Sequence, residues 1–103
     1  MQISPEELKP LLDAGKVKLI DVREQWEYDI CHIKNSILIP LQELPSRIDE
    51  LKKEDNVVLY CHTQNRSALA AQFMLSQGFR SVKFLRGGID EWAEKIETSM
   101  ARY

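Results

Sequence analysis

A chain of 103 residues is long enough for one hydrophobic core and too short for a second, so one domain spanning residues 1–103 is expected. With 44% hydrophobic and 29% charged residues it has the composition of a globular protein, not a disordered one. Fourteen basic against sixteen acidic residues leave a net charge of −2, which argues against a nucleic-acid or membrane-surface role resting on bulk electrostatics.

Ser4-Pro5-Glu6-Glu7 reads as a helix start, with Ser4 as N-cap, Pro5 at the first helical position and Glu7 completing a capping box. Leu8, Leu11 and Leu12 supply the apolar stripe of that helix, and Gly15 ends it. Val17 to Val22 reads as a strand running into Asp21-Val22-Arg23-Glu24, and Ser36 to Ile39 as a second, short strand stopped by Pro40. Pro45 opens another helix, with Leu44, Ile48 and Leu51 at helical spacing. Val57 to Tyr60 is apolar throughout, as a central strand of a parallel sheet requires. Ser67 to Gln77 is a largely apolar helix stopped by Gly78, Val82 to Leu85 is the last strand, and Gly87-Gly88 turns the chain into a helix from Ile89 to about Glu97. The alternation predicts an α/β fold: a small parallel sheet of about four to five strands with helices on both faces.

The densest chemical signal is Tyr60-Cys61-His62-Thr63-Gln64-Asn65-Arg66-Ser67. A short loop between a buried strand and a helix N-terminus gathers backbone N–H groups on one spot, and a cysteine opening it sits where a thiolate or bound anion is stabilised. Arg66 closes the loop with a positive charge. Ligands of open α/β sheets bind beyond the C-terminal strand ends, where Cys61 falls. His62 and Thr63 either touch substrate or are merely exposed; Gln64, Asn65 and Ser67 are expected to contribute through backbone N–H groups. At the end of its strand, Asp21 either braces a neighbouring loop or binds Arg66. Arg23 either attracts an anion or pairs with Glu27 four residues on. Trp26, Tyr28 and Trp92 read as core or rim aromatics. The adjacent pairs Cys31-His32 and Cys61-His62 do not have metal-ligand spacing, so no metal is expected.

These residues carry a resemblance. Asp21-Val22-Arg23-Glu24, Glu27-Tyr28, His32-Ile33 and Ile39-Pro40-Leu41 are similar to the first signature of the rhodanese family. Cys61 to Ser67 resembles its active-site loop, and Gly87-Gly88-Ile89 with Trp92 its closing motif, in family order over nearly the whole chain. The resemblance implies a rhodanese-like fold and a thiosulfate or persulfide sulfurtransferase that carries sulfur as a Cys61 persulfide. That cycle needs no cofactor. Its partners would be a small-molecule sulfur donor and a thiol or cyanide acceptor, with a protein donor or acceptor also compatible.

Six residues from Cys61 to Arg66 match the sulfurtransferase loop, whereas the related dual-specificity phosphatases have one more. The alternative reading is a carrier or binding module whose persulfide serves a protein partner; phosphatase-like activity ranks third. Two departures from the family pattern stand out. Gln64 occupies an often-glycine position and would be strained by about 1 kcal/mol if φ were positive there. Cys31 also stands at a usual glycine, where it either fills a turn or acts as a second thiol.

No apolar run approaches bilayer-spanning length, and Met1 to Glu7 lacks signal-peptide features. Two cysteines are too few for a disulfide scaffold, so a reducing, cytoplasmic location is expected.

Overall fold

The computed structural model describes residues 1–103. Strands and helices follow in the order β1 Gln2–Ile3, α1 Pro5–Asp13, β2 Lys18–Asp21, α2 Gln25–Ile30, β3 Ile37–Leu38, α3 Leu44–Arg47, β4 Asn56–Tyr60, α4 Asn65–Ser76, β5 Ser81–Leu85 and α5 Gly88–Lys95. Short 3-10 turns at Leu41–Glu43 and Ile48–Glu50 flank α3. Every strand pairing is parallel, and the sheet order is β1-β5-β4-β2-β3. No helix is long and apolar enough to cross a membrane.

Strand alternation divides the core between the two sheet faces. Ile20, Val57, Leu59, Val82 and Phe84 point to the face covered by α4, where Ala70, Ala71 and Met74 meet them. Leu19, Val58, Tyr60 and Leu85 point to the opposite face, against Leu8 of α1 and Ile89 and Trp92 of α5. β4 lies between β2 and β5, and its residues Val57 to Tyr60 are all at most 2% exposed, which explains their unbroken apolar run. The register sets Asp21 beside Tyr60, so the C-terminal ends of β2 and β4 finish level. The segments after both strands therefore face one another, and those are the segments that carry the chemistry.

The α1 start is the expected capping box: Glu7 N–H donates to Ser4 Oγ at 3.1 Å and Ser4 N–H to Glu7 Oε1 at 2.9 Å. Two elements differ from the sequence expectation by being present at all. β1 has two residues and no periodicity of its own; it exists because β5 offers an edge, with Phe84 N–H donating to Met1 O and Arg86 N–H to Ile3 O, each at 2.9 Å. α2 buries only Glu27, so it shows no apolar stripe. Its start is marked by Glu24 N–H donating to Glu27 Oε1 at 2.9 Å, a reciprocal contact of the capping-box kind. The helix expected from Pro45 begins one residue earlier and breaks into a four-residue α-turn between two 3-10 turns. Helix α4 begins two residues before Ser67, at Asn65.

Candidate active site

Cys61 is the first residue after β4, and its side chain is 1% exposed. Ser67, in the first turn of α4, donates its backbone N–H to Cys61 Sγ at 3.4 Å, with the Ser67 hydroxyl 3.5 Å from the same sulfur. That hydroxyl also reaches Gln64 O at 3.2 Å. The chain thus leaves the sheet at the cysteine, runs around the sulfur and returns to it at the helix N-terminus, where the helix dipole favours negative charge.

The loop carbonyls are held from outside. Ile89 N–H donates to Cys61 O at 2.9 Å and Asp90 N–H to His62 O at 3.1 Å, so the first turn of α5 grips two successive peptide groups. In a planar trans peptide C=O and N–H point in opposite directions. Fixing the carbonyls of Cys61 and His62 on α5 therefore turns the N–H groups of His62 and Thr63 away from α5. The backbone N–H groups of His62 through Arg66 have no acceptor within the protein. Gly88 makes this grip sterically feasible: a Cβ there would lie 2.2 Å from Thr63 O and 2.5 Å from both Cys61 O and His62 O. Its φ of +60° suits glycine as well.

The remaining loop residues divide by side-chain role. Gln64 has φ −160°, an extended value, so the strain expected of a non-glycine residue there does not arise. Its side chain, expected to matter less than its backbone, accepts Gly87 N–H through Oε1 at 3.2 Å and ties the loop to the turn before α5. Thr63 and Asn65 are exposed, while His62 is half-buried with its ring stacked on Tyr103, centroids 4.1 Å apart.

Neither alternative weighed for Asp21 and Arg23 beyond bracing holds. Asp21 does not bind Arg66, and the Arg23 guanidinium does not pair with the Glu27 carboxylate. The two residues pair with each other, both at 0% exposure, through Nε to Oδ1 at 2.9 Å and Nη2 to Oδ2 at 2.7 Å. Arg23 Nη2 also donates to Cys31 O at 2.7 Å, and Nη1 to Tyr103 Oη at 2.9 Å. Burial works against the Arg23 charge, but the hydrogen bonds with Asp21 and Tyr103 outweigh it and hold the guanidinium firmly protonated. Enclosed in this way, Arg23 cannot attract an anion from solution. Cys31 lies at the end of α2 with φ −164°, extended backbone that needs no glycine, and its thiol is free.

Arg66 binds Glu27, a residue the sequence reading did not place in the site. The contact is bidentate, Nη1 to Oε1 at 2.7 Å and Nη2 to Oε2 at 2.9 Å. Burial pushes the Glu27 carboxyl up, but hydrogen bonds from Arg66, the Glu24 backbone and Tyr103 together overcome it and hold the pKa at about 2. The same contact raises Arg66 above its ordinary value. The available signal was the spacing of Glu27, three residues after Glu24, which is that of a capping box.

This pair has a pH signature. A carboxyl held near 2 in the fold and near 4.5 when unfolded stabilises the protein fully above pH 4.5, and that contribution fades as pH falls from 4.5 to 2. The difference corresponds to about 3 kcal/mol. Glu27→Gln should cost about 2 kcal/mol at pH 7, since Arg66 is partly solvated, and should flatten the loss of stability between pH 5 and pH 2. Urea unfolding of both proteins across that range checks it; parallel acid profiles would remove Glu27 from the account.

The rhodanese-like domain family matches residues 4–95. The chain belongs to this family. The human single-domain sulfurtransferase TSTD1 superimposes with a TM-score of 0.85 at 30% identity, over 91% of this chain and 96% of that one. MoeZ of Mycobacterium tuberculosis, named for adenylyltransferase and sulfurtransferase functions, is 40% identical over 98% of this chain and 26% of its own length. YrkF of Bacillus subtilis, named for a sulfur-carrier function, is 37% identical over 93% of this chain and 52% of its own length. The chain thus spans between about a quarter and a half of these two curated relatives. Membership in the family, with sulfurtransferases among its neighbours, supports sulfur transfer in general.

Proposed function

We propose that this rhodanese-like chain transfers sulfane sulfur through a persulfide on Cys61. The observation that carries the reading is the Cys61 sulfur receiving Ser67 N–H inside a loop whose next five backbone N–H groups have no protein acceptor. In the first half-reaction the Cys61 thiolate attacks the outer sulfur of thiosulfate. A sulfur–sulfur bond forms to Cys61, the donor's sulfur–sulfur bond breaks, and its electron pair leaves with sulfite. In the second, cyanide or a thiolate attacks the outer sulfur and takes it as thiocyanate or as a new persulfide. The Cys61 thiolate is returned unchanged. A low-molecular-weight or protein persulfide serves as donor by the same exchange, with a thiolate leaving in place of sulfite.

The persulfide is an anion, and the loop N–H groups offer it donors already oriented by the α5 grip, which is where such a site lowers the barrier most. Arg66, engaged by Glu27, holds the loop–helix junction rather than standing free as a cationic hook. The reaction requires a reduced thiol, which suits a reducing compartment such as the cytoplasm.

A two-step exchange of this kind gives parallel lines in double-reciprocal plots when thiosulfate and cyanide are varied together. Intersecting lines would point to both substrates binding before any sulfur moves, and would contradict the persulfide cycle. The carrier reading is favoured by the likeness to YrkF. It predicts stoichiometric loading of Cys61 but release only to a protein partner.

A further inference from the structure

Residues 96–103 fall outside the stretch that matches the family, yet they are not free of the site. Ile96, Met100 and Tyr103 pack on the core face shared with α1 and α5. Glu97 anchors the segment by accepting Trp92 Nε1–H at 3.0 Å, and Arg102 reaches Asp90 at 2.5 Å. Tyr103 is the residue that meets the machinery. Its ring stacks on His62, the residue after Cys61, at 4.1 Å between centroids and 18° between planes. Trp26 of α2 meets it edge-on at 5.9 Å. Its hydroxyl donates to Glu27 Oε2 at 2.7 Å and accepts from Arg23 Nη1 at 2.9 Å. One side chain thus touches the loop carrying the nucleophile and the carboxylate that holds Arg66. Together with Cys31, His62, Ile89 and Ala93, the segment lines a small, partly open pocket.

We infer that residues 97–103 form a strap across the mouth of the Cys61 loop, and that Tyr103 selects acceptors by size. The inference rests on the sulfur-transfer reading. Transfer requires the attacking atom to come within about 3–3.5 Å of the outer sulfur. Cyanide and small thiols can do so beside a seated Tyr103. A cysteine on a folded protein brings its own surface with it, and must first lift the ring from His62 and Trp26. The contacts that resist lifting are one aromatic stack, one edge-on contact and two hydrogen bonds, a latch weak enough for a docking partner to open. Lifting it also removes a hydrogen bond from Glu27, so strap position and the Arg66 brace are linked.

Alkylation of Cys61 reads access without any sulfur transfer, so it separates failure of the strap from failure of the persulfide cycle. The 103-residue chain carrying Cys31→Ser serves as background, with iodoacetamide as small probe and a fluorescein maleimide as bulky one. Modification is followed by intact mass. Tyr103→Ala should speed the maleimide about tenfold, from the stacking and hydrogen bonds lost, and iodoacetamide by less than about twofold. Tyr103→Phe keeps the ring and loses only the hydroxyl, so its maleimide rate should fall between the two. With transfer itself as readout, Tyr103→Ala should raise the rate to a protein thiol relative to that to cyanide. Equal acceleration of both probes, no change, or slowing of both would overturn the strap. If Tyr103→Ala does not fold, Tyr103→Phe carries the test: a maleimide-to-iodoacetamide ratio equal to that of the Tyr103 protein overturns it.

Discussion

Gly88→Ala is expected to be among the most damaging single substitutions in this chain, although Gly88 makes no side-chain contact and lies 27 positions beyond the nucleophile. Its added methyl would sit 2.2–2.5 Å from the carbonyl oxygens of Cys61, His62 and Thr63. These are backbone atoms, two of them already held by α5, so no side chain can swing aside to make room. Overpacking and the left-handed backbone of a non-glycine residue together cost about 3 kcal/mol or more. For a domain of this size that lowers Tm by roughly 12–24 °C. The loop would be displaced as well, because the same contacts orient its N–H groups. Activity in the surviving folded fraction should therefore fall along with stability. Thermal unfolding and activity normalised to folded protein check both parts; a Tm within a few degrees of wild type would show that the α5 grip is not what shapes the loop.

Cys61→Ser should have the larger effect on activity and a small one on stability. Serine keeps nearly the same volume and can still accept Ser67 N–H at the site where the sulfur receives it at 3.4 Å. Its hydroxyl does not ionise near neutral pH and forms no persulfide, so the covalent cycle stops, a loss of at least about a thousandfold. Unfolding free energy should change by about 1 kcal/mol, the usual cost of a modest polar change at a buried, hydrogen-bonded position. Sulfur transfer and urea unfolding measured on the same preparation separate the two. A variant that retains transfer would move the nucleophile elsewhere, with Cys31 the remaining thiol.

The features legible in the sequence were those written in local chemistry. The Ser4–Glu7 capping box, the apolar run of β4 and the loop from Cys61 to Ser67 each depend on neighbours in the chain, and each stands as a recognisable pattern. What was not legible depended on partners far away. β1 is a strand only because β5 presents an edge, and α2 has no apolar stripe because its buried side is the Glu27 carboxylate. Glu27 and Arg66 are separated by 39 positions, and nothing in either neighbourhood names the other. The Arg23–Asp21 pair was hidden for the opposite reason. At two positions apart they lie on the same side of an extended chain, but only the fold shows that both are sealed from solvent. Glycine is the family habit at Gln64, whereas its φ of −160° lies outside the left-handed region that favours glycine. Tyr103 gave no signal, since a single aromatic has no periodicity and its partners lie far back in the chain, on α2 and in the Cys61 loop.

The central claim is that sulfur resides covalently on Cys61, and the intact mass of the protein after incubation with thiosulfate, or with a persulfide donor, tests it most directly. The account predicts a gain of one sulfur atom, about 32 Da, in the wild type, lost on addition of cyanide and absent from Cys61→Ser. A wild-type mass unchanged by either donor, or an adduct that persists in Cys61→Ser, would contradict it.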